Sequence, residues 1–506
     1  MSQKVKAAMI SYLGILVNIV VALMFTPFLV SSLGKGGYGL LSIVIAFMAY
    51  LNMLDFGLND SLLRYFVLHR QDREATNGFF GRMLGVYVLI GGLILLLGQG
   101  LSAAFPIIFS ASMSPHEIAT LSQMIQIMSV GAAVIISLNP VSSLIYAHER
   151  FVFMRSIEML VSLGTTVVMV IFLMRGYGPI SVAIITASGK VVQASLGILY
   201  AVLVLKVRIR ILRPDWIELR KVGVYAAPIF ISVLAAQAFW KLDNIFIAAI
   251  FGASSVAVYA IGVTFNKYFQ TFATAISRLV TPDVIRRIDA GADAHTLTEL
   301  MVRISRVQAL ALLLVLGGLI VFGQRFLTLW LGADFAISYW VMLAVLCPFA
   351  LELIGNARNI ILQVKGLYWL KSAITGLMAG LNIPLTIWLL HLWGVVGAAI
   401  STGIAVVIGY VLIAVLLKVR VGLSMWHYWR ETARRILLVF AVLVGSGLVL
   451  EHFLPGGWVG LFLGAGLFAS AYALGMIGFA ANSYERKIIR QVAGRVGLKI
   501  PASLWR

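Results

Sequence analysis

Three lysines stand inside long apolar runs of this 506-residue chain: Lys190, Lys241 and Lys267. An ammonium group within a membrane helix costs roughly 2.5–3.5 kcal/mol on insertion scales, so each must meet an opposite charge or a wet cavity. Lys190 and Lys267 each fall about twelve residues into their runs, which at helical rise is close to mid-membrane depth. Lys241 and Asp243 fall in the outer half of theirs. They are two positions apart and so point away from one another on a helix, each toward a different partner. Two more carboxylates lie at depth, Asp55 in the inner half of the second run and Glu352 just inside the midplane of the tenth. Arg64, Arg82, Arg278 and Arg358 sit at inner helix ends, where a long stem lets the head reach water.

These residues support two chemistries. Three carboxylates could neutralise three lysines by pairing between helices. Alternatively, isolated ammonium groups in a water-filled cavity would bind an anion, and a phosphate group suits such point charges. On the second reading the substrate-binding candidates are Lys190, Lys267, Lys241, Arg64, Arg278 and Arg358. Asp55, Asp243 and Glu352 are then coupling or ion-pairing groups. Asp55, in Leu54-Asp55-Phe56-Gly57, is a cation or proton site beside a helix break, or a cap at that break. Glu352 is a proton carrier, since burial raises a carboxyl pKa, or a salt-bridge partner of a lysine or of Arg358. Pro27 and Pro228 are expected to kink the first and seventh runs.

Other chemistry is absent from the sequence. There is no Ser-His-Asp grouping, phosphate-binding loop or nucleotide domain, so no enzyme activity is expected. The seven histidines are scattered without ligand spacing and Cys347 is the sole cysteine, so neither a metal, a cofactor nor an intrachain disulfide is expected. The net charge of +20 would suit nucleic acid in a soluble protein; here it has a plainer source in cationic loops that fix membrane topology, and no nucleic-acid partner is expected.

The elements that must hold these groups are membrane helices. The chain is 61% hydrophobic and 11% charged, where a soluble chain carries about 25% charge. Apolar runs fall at approximately 7–33, 37–63, 80–106, 119–146, 154–174, 178–205, 223–251, 255–278, 303–323, 336–361, 366–390, 394–417, 434–453 and 457–479. The spacing predicts an all-α polytopic membrane protein of about fourteen transmembrane helices. The first run is too long for a signal-peptide core of about 7–15 residues. With the N-terminus in the cytoplasm, 33 of the 39 Lys and Arg residues fall at inner ends, three at outer ends and three inside helices. That asymmetry places both termini in the cytoplasm; a bacterial inner membrane is the expected location.

A repeat runs through the chain. Tyr177-Gly178 matches Trp393-Gly394, Lys206-Val207 matches Lys418-Val419, and Leu33-Gly34 with Tyr38 matches Phe251-Gly252 with Tyr259. Six helices separate the copies, so the two are expected to share one orientation, as lobes in a parallel pseudo-twofold arrangement. The expected plan is an N-lobe over 1–205, a cytoplasmic linker over 206–222, a C-lobe over 223–420, an extra pair of helices over 421–480 and a tail over 481–506. In the tail, Ile488, Val492 and Val496 alternate with Arg486, Lys487, Arg490 and Arg495, as in a basic amphipathic helix lying on a membrane surface.

Leu33-Gly34-Lys35-Gly36-Gly37-Tyr38-Gly39-Leu40, then Tyr50-Leu51-Asn52-Met53-Leu54-Asp55-Phe56-Gly57-Leu58 and Ser61-Leu62-Leu63-Arg64-Tyr65, resemble the start of the polysaccharide-transporter family of the multidrug/oligosaccharidyl-lipid/polysaccharide exporter superfamily. Asp243-Asn244-Ile245-Phe246-Ile247 through Phe251-Gly252 and Val256-Ala257-Val258-Tyr259 is similar to the repeat of that pattern. With the plan of six, six and two helices, the resemblance covers nearly the whole chain. It implies a flippase that moves a polyprenyl-diphosphate-linked oligosaccharide from the cytoplasmic to the periplasmic leaflet by alternating access, for cell-surface polysaccharide export. The implied partners are that lipid-linked glycan, membrane lipids and other polysaccharide-assembly membrane proteins. The related peptidoglycan-precursor flippases carry an N-terminal arginine-rich segment not found in this chain. A cation-coupled multidrug exporter of the same superfamily is the alternative, although those usually have twelve helices and acidic cavities. A glycan polymerase or ligase would need a large arginine-bearing outer loop, and none is present.

Overall fold

Peptide groups in hydrocarbon find no water to bond, so a chain this apolar must satisfy them within helices. In the computed structural model, which describes residues 3–56, 58–68, 73–207 and 215–486, the structure is all-helical, with no strand among the described residues. The helices are α1 (Gln3–Asn52), α2 (Leu58–Leu68), α3 (Arg73–Phe109), α4 (Pro115–Ser137), α5 (Asn139–Ala147), α6 (Phe151–Met174), α7 (Pro179–Leu203), α8 (Trp216–Phe251), α9 (Ala253–Asp289), α10 (Ala294–Leu331), α11 (Ile337–Ile354), α12 (Ala357–Val364), α13 (Tyr368–Val421), α14 (Met425–Phe453) and α15 (Gly457–Gly475).

Eleven spans among the described residues are long and apolar enough to cross a membrane, against the fourteen expected. The difference lies in the joints and in one polar helix. Gly34, at φ 69° and ψ 170°, breaks α1 in two, and Trp393 with Gly394 breaks α13, yet each runs on as one continuous span. The helix α9 carries Thr264, Lys267, Gln270, Thr271 and Thr274 and falls short of the required apolarity.

The chain forms two compact units, Met1–Ala260 and Ile261–Arg506. Their boundary falls within α9, whereas the sequence places its linker at 206–222, of which 208–214 lie outside the described residues. The tail helix expected from Tyr484 onward lies outside them beyond residue 486.

The repeat has a backbone signature. Left-handed residues recur as Gly34 and Gly252, 218 apart; Glu149 and Gly366, 217 apart; and Lys206 and Gly422, 216 apart. A broken helix recurs as well. The break between α4 and α5 falls at Leu138–Asn139, and the break between α11 and α12 falls at Gly355–Asn356. Asn139 and Asn356 are 217 apart.

Small and polar residues hold the helices together where lipid supplies no hydrophobic drive. In the first unit α3 meets α4 through Ser122 Oγ donating to the Ser102 carbonyl at 3.1 Å and Gln126 Nε2 donating to Ser102 Oγ at 3.0 Å. Gly39 lets α1 approach the backbone of Ala253: a Cβ there would lie 1.8 Å from the Ala253 carbonyl oxygen. In the second unit α10 is the hub for α11, α14 and α15. Tyr428 Oη donates to Ser305 Oγ at 3.0 Å and Tyr472 Oη to the Leu310 carbonyl at 2.9 Å. The outer face of α14 stays bare, with Leu438 65% and Val442 71% exposed, as suits a helix against lipid.

Candidate functional site

In the first unit, α7 places Lys190. Its apolar side chains Ile184, Val191, Val192 and Leu199 are exposed along one stripe. That stripe also helps to wall a groove of about 970 Å³ with α6, lined by Leu160, Val168, Phe172 and Ile184. At 100° per residue Lys190 falls on the opposite face, with Thr186 and Gln193 one turn to either side. Small buried residues, Ala183, Ala187, Ala194 and Gly197, surround it on that face. Lys190 is nevertheless exposed and makes no ion pair among the described residues.

The second unit places Lys267 on α9 by the same logic. Thr264, Lys267, Thr271 and Thr274 follow one another at alternating spacings of three and four and form a polar stripe. Lys267 is exposed at the middle of it, and Thr271 Oγ1 donates to the Lys267 carbonyl at 2.8 Å. Phe265, Phe269 and Ala273 on another face are buried, Phe265 packing edge-on against Phe326 and Trp330. No ion pair to Lys267 forms among the described residues. Arg278 continues the stripe by number, but its side chain lies outside the described residues.

The carboxylates take other partners. Asp55 ends a 3-10 turn and accepts from Asn139 Nδ2 at 3.3 Å and from the Asn59 backbone N–H at 3.4 Å. It thus ties the start of α2 to the broken end of α4–α5, and Ser143 Oγ donating to Asn59 Oδ1 closes the same junction. Asp243 is 1% exposed and accepts from the Tyr259 hydroxyl, which joins α8 to α9 within the first unit. Lys241 on the same helix is half-buried and engaged, and Arg64 on α2 is exposed and engaged.

Glu352 and Arg358 flank the second break. Arg358 is 1% exposed; its Nε donates to the Gly355 carbonyl at 2.9 Å, its Nη2 to the Glu352 carbonyl at 3.3 Å, and its guanidinium lies 3.9 Å over the Tyr410 ring. These carbonyls belong to the end of α11, where the helix dipole is negative, so the dipole and the aromatic face stabilise the buried cation. The Glu352 carboxylate lies within electrostatic range of Lys371.

Beside this break lies a polar cluster that sequence reasoning missed. Asn356 Nδ2 donates to Ser277 Oγ at 2.9 Å, and the fully buried Gln308 donates to Ser277 Oγ and to the Ala273 carbonyl. A lone glutamine within an apolar run was the available signal. The repeat offset from Asn139 to Asn356 was another.

The comparisons agree with this architecture. The family described as polysaccharide biosynthesis protein matches residues 5–288, more than half of the chain. The chain belongs to that family. No curated protein matches it. Among solved structures, the polysaccharide biosynthesis family member is similar to "Lipid II flippase MurJ, inward closed conformation", with TM-score 0.74 and 14% identity over 96% of this chain and 100% of that one. It is also similar to an inward-facing multidrug resistance MATE family transporter of the MOP superfamily, with TM-score 0.65 and 15% identity over 78% of this chain and 92% of that one. A MOP superfamily transporter from Pyrococcus furiosus, described as having a binding pocket of reverse polarity, aligns with TM-score 0.57 and 14% identity over 83% of this chain and 95% of that one. At these identities the shared property is the fold, and the polysaccharide biosynthesis family member is a multi-span membrane protein of that fold.

Proposed function

We propose that this protein is a flippase. It carries a polyprenyl-diphosphate-linked oligosaccharide from the cytoplasmic to the periplasmic leaflet of a bacterial inner membrane by alternating access, with both termini in the cytoplasm. The observation that carries the reading is the pair Lys190 and Lys267. Lys190 is exposed at the twelfth residue of α7 and Lys267 at the fifteenth of α9, each lies on a polar stripe, and neither has a carboxylate partner among the described residues. A diphosphate brings the compensating charge. An ammonium point charge draws a hydrated head from water without caging it, which release on the far side requires. Lys241, Arg64 and Arg278 add positive potential along the route. Arg358 serves the scaffold instead, because it is buried with Nε and Nη2 on carbonyls at the end of α11 and its guanidinium over Tyr410. Asp55 and Glu352, beside the two helix breaks, would serve as coupling or ion-pairing groups. No chemical bond is made or broken, and other membrane proteins of polysaccharide assembly would supply and consume the lipid-linked glycan.

A multidrug exporter shares much of the fold; unneutralised cations within the helices favour an anionic cargo. The test is a flipping assay in vesicles with a fluorescent polyprenyl-diphosphate glycan. Lys267→Ala and Lys190→Ala are each expected to slow flipping at least tenfold, and Lys267→Arg is expected to keep part of the rate because the charge survives. Normal flipping by both alanine variants at equal protein level, or transport of a cationic dye in place of the glycan, would overturn the reading.

A further inference from the structure

A second polar site lies in the Ile261–Arg506 unit, away from Lys267. A cleft of about 650 Å³ opens between the first four turns of α10, the first four turns of α14 and the segment around Ala480 and Asn482. Its floor is Arg306, 6% exposed, which donates to Glu485 at 2.6 and 3.0 Å and to the carbonyls of Glu431 and Ala480. Those bonds occupy the floor cation. On the wall, Arg430 pairs with Glu431 at 3.6 Å and His427 pairs with Glu299. That leaves Arg434 and Arg435, exposed and without an ion pair among the described residues. Two guanidinium groups therefore converge on one cleft with their anion still to come.

The cleft is graded along its length. At one end His427 and Arg430 line it, with Glu299 of α10 opposite. Arg434 and Arg435 stand two turns beyond His427 on the same helix. Leu438 completes the wall one turn beyond Arg434, and Val442 continues the same face, both exposed. A ligand bound by the arginines therefore has an apolar track leading away from its charged end. A soluble anion would leave that track unused.

We infer that this cleft binds the phosphate of an anionic glycerophospholipid, with Arg434 and Arg435 on the phosphate and an acyl chain lying along Leu438 and Val442. A zwitterionic lipid fits less well, because Glu299 and Glu431 are already paired and no free carboxylate awaits an ammonium. The bound lipid ties α14 to α10 and to the Glu485 segment, so occupancy stiffens this side of the second unit. The inference is independent of the transported substrate.

The purified full chain in phosphatidylcholine nanodiscs or detergent is titrated with phosphatidylglycerol, and binding is read by native mass spectrometry and by melting temperature. The Arg434→Gln/Arg435→Gln variant is expected to weaken phosphatidylglycerol binding about twentyfold, each charge near an anionic headgroup contributing close to fivefold. Arg286→Gln/Arg287→Gln, an exposed pair on α9 with the same charge loss, is expected to bind as the parent does. Should the double variant fail to fold, the single variants Arg434→Gln and Arg435→Gln carry the test at about fivefold each. Equal weakening by both pairs would make the effect one of general surface charge and overturn the site. Full stabilisation by inorganic phosphate alone would make it a soluble-anion site and overturn the lipid assignment, as would undiminished phosphatidylglycerol binding by the Arg434 and Arg435 variants.

Discussion

The two copies of the repeat break their helices at matching places and carry their charges at different ones. Asn139 and Asn356 each stand at a break and each donates from its side-chain amide to a neighbouring helix, but the acceptor is a carboxylate, Asp55, in the first copy and a hydroxyl, Ser277, in the second. Lys190 falls 216 residues before Val406, and the positions 216–218 before Lys267 are Ala49, Tyr50 and Leu51. The breaks are demanded by geometry, since a helix crossing hydrocarbon can turn only where its freed backbone groups are satisfied again. The lysines are under no such demand. A duplicated scaffold keeps its joints because the fold needs them, whereas its charges answer to whatever passes, and cargo that enters on one side and leaves on the other has no need of equal halves.

The largest expected effect comes from removing that asymmetry. Lys190→Val, which installs the residue found 216 positions later, should cut glycan flipping at least tenfold with no fall in melting temperature, because a charge at depth costs about 2.5–3.5 kcal/mol to keep. Retained flipping would mean that the charge difference between the copies is incidental. Next are the left-handed glycines. Gly34→Ala should cost roughly 1–3 kcal/mol from backbone strain alone, having open space around it. Gly252→Ala should cost more, since its new Cβ would also lie 2.5 Å from the Ser112 carbonyl oxygen. Denaturation of the two variants in detergent measures the difference, and equal losses would show that the two joints are held alike.

The amides at the breaks are worth less. Asn139→Ala and Asn356→Ala should each cost about 1 kcal/mol, with the carboxylate-bound Asn139 at the upper end. Double-mutant cycles with Asp55→Ala and Ser277→Ala measure each coupling, and a larger coupling in the second copy would reverse the ranking. The smallest effect concerns Asp293, which caps α10 by accepting from the Thr296 N–H at 2.9 Å. Its bonds to Thr296 hold its carboxyl below the usual carboxylate range. A depressed folded pKa gives stability that is present above the unfolded value and lost as pH falls through the folded one. Acidification below about pH 4 should therefore lower the melting temperature slightly more in the parent than in Asp293→Asn; identical acid profiles would remove the cap from the account.

The sequence by itself determined the solvent, the helices and the repeat. Apolar length, loop arginines and the Gly34–Gly252 and Gly178–Gly394 spacings are local or periodic properties that any fold of the chain must honour. The faces of Lys190 and Lys267 were also within its reach, since Thr186 and Gln193, or Thr264 and Thr271, fall beside them at helical spacing. Only the tertiary structure decided which groups meet. Asp55 finds Asn139, 84 residues away, Arg358 lies over Tyr410, and Arg306 is claimed by Glu485, 179 residues away. Lys190 and Lys267, which arithmetic could have matched to carboxylates, keep none among the described residues. The reason is physical: helical periodicity fixes the direction in which a side chain points, but the partner it meets depends on which helices pack together and at what height, and small residues far apart in the chain, such as Gly39 against Ala253, set that packing.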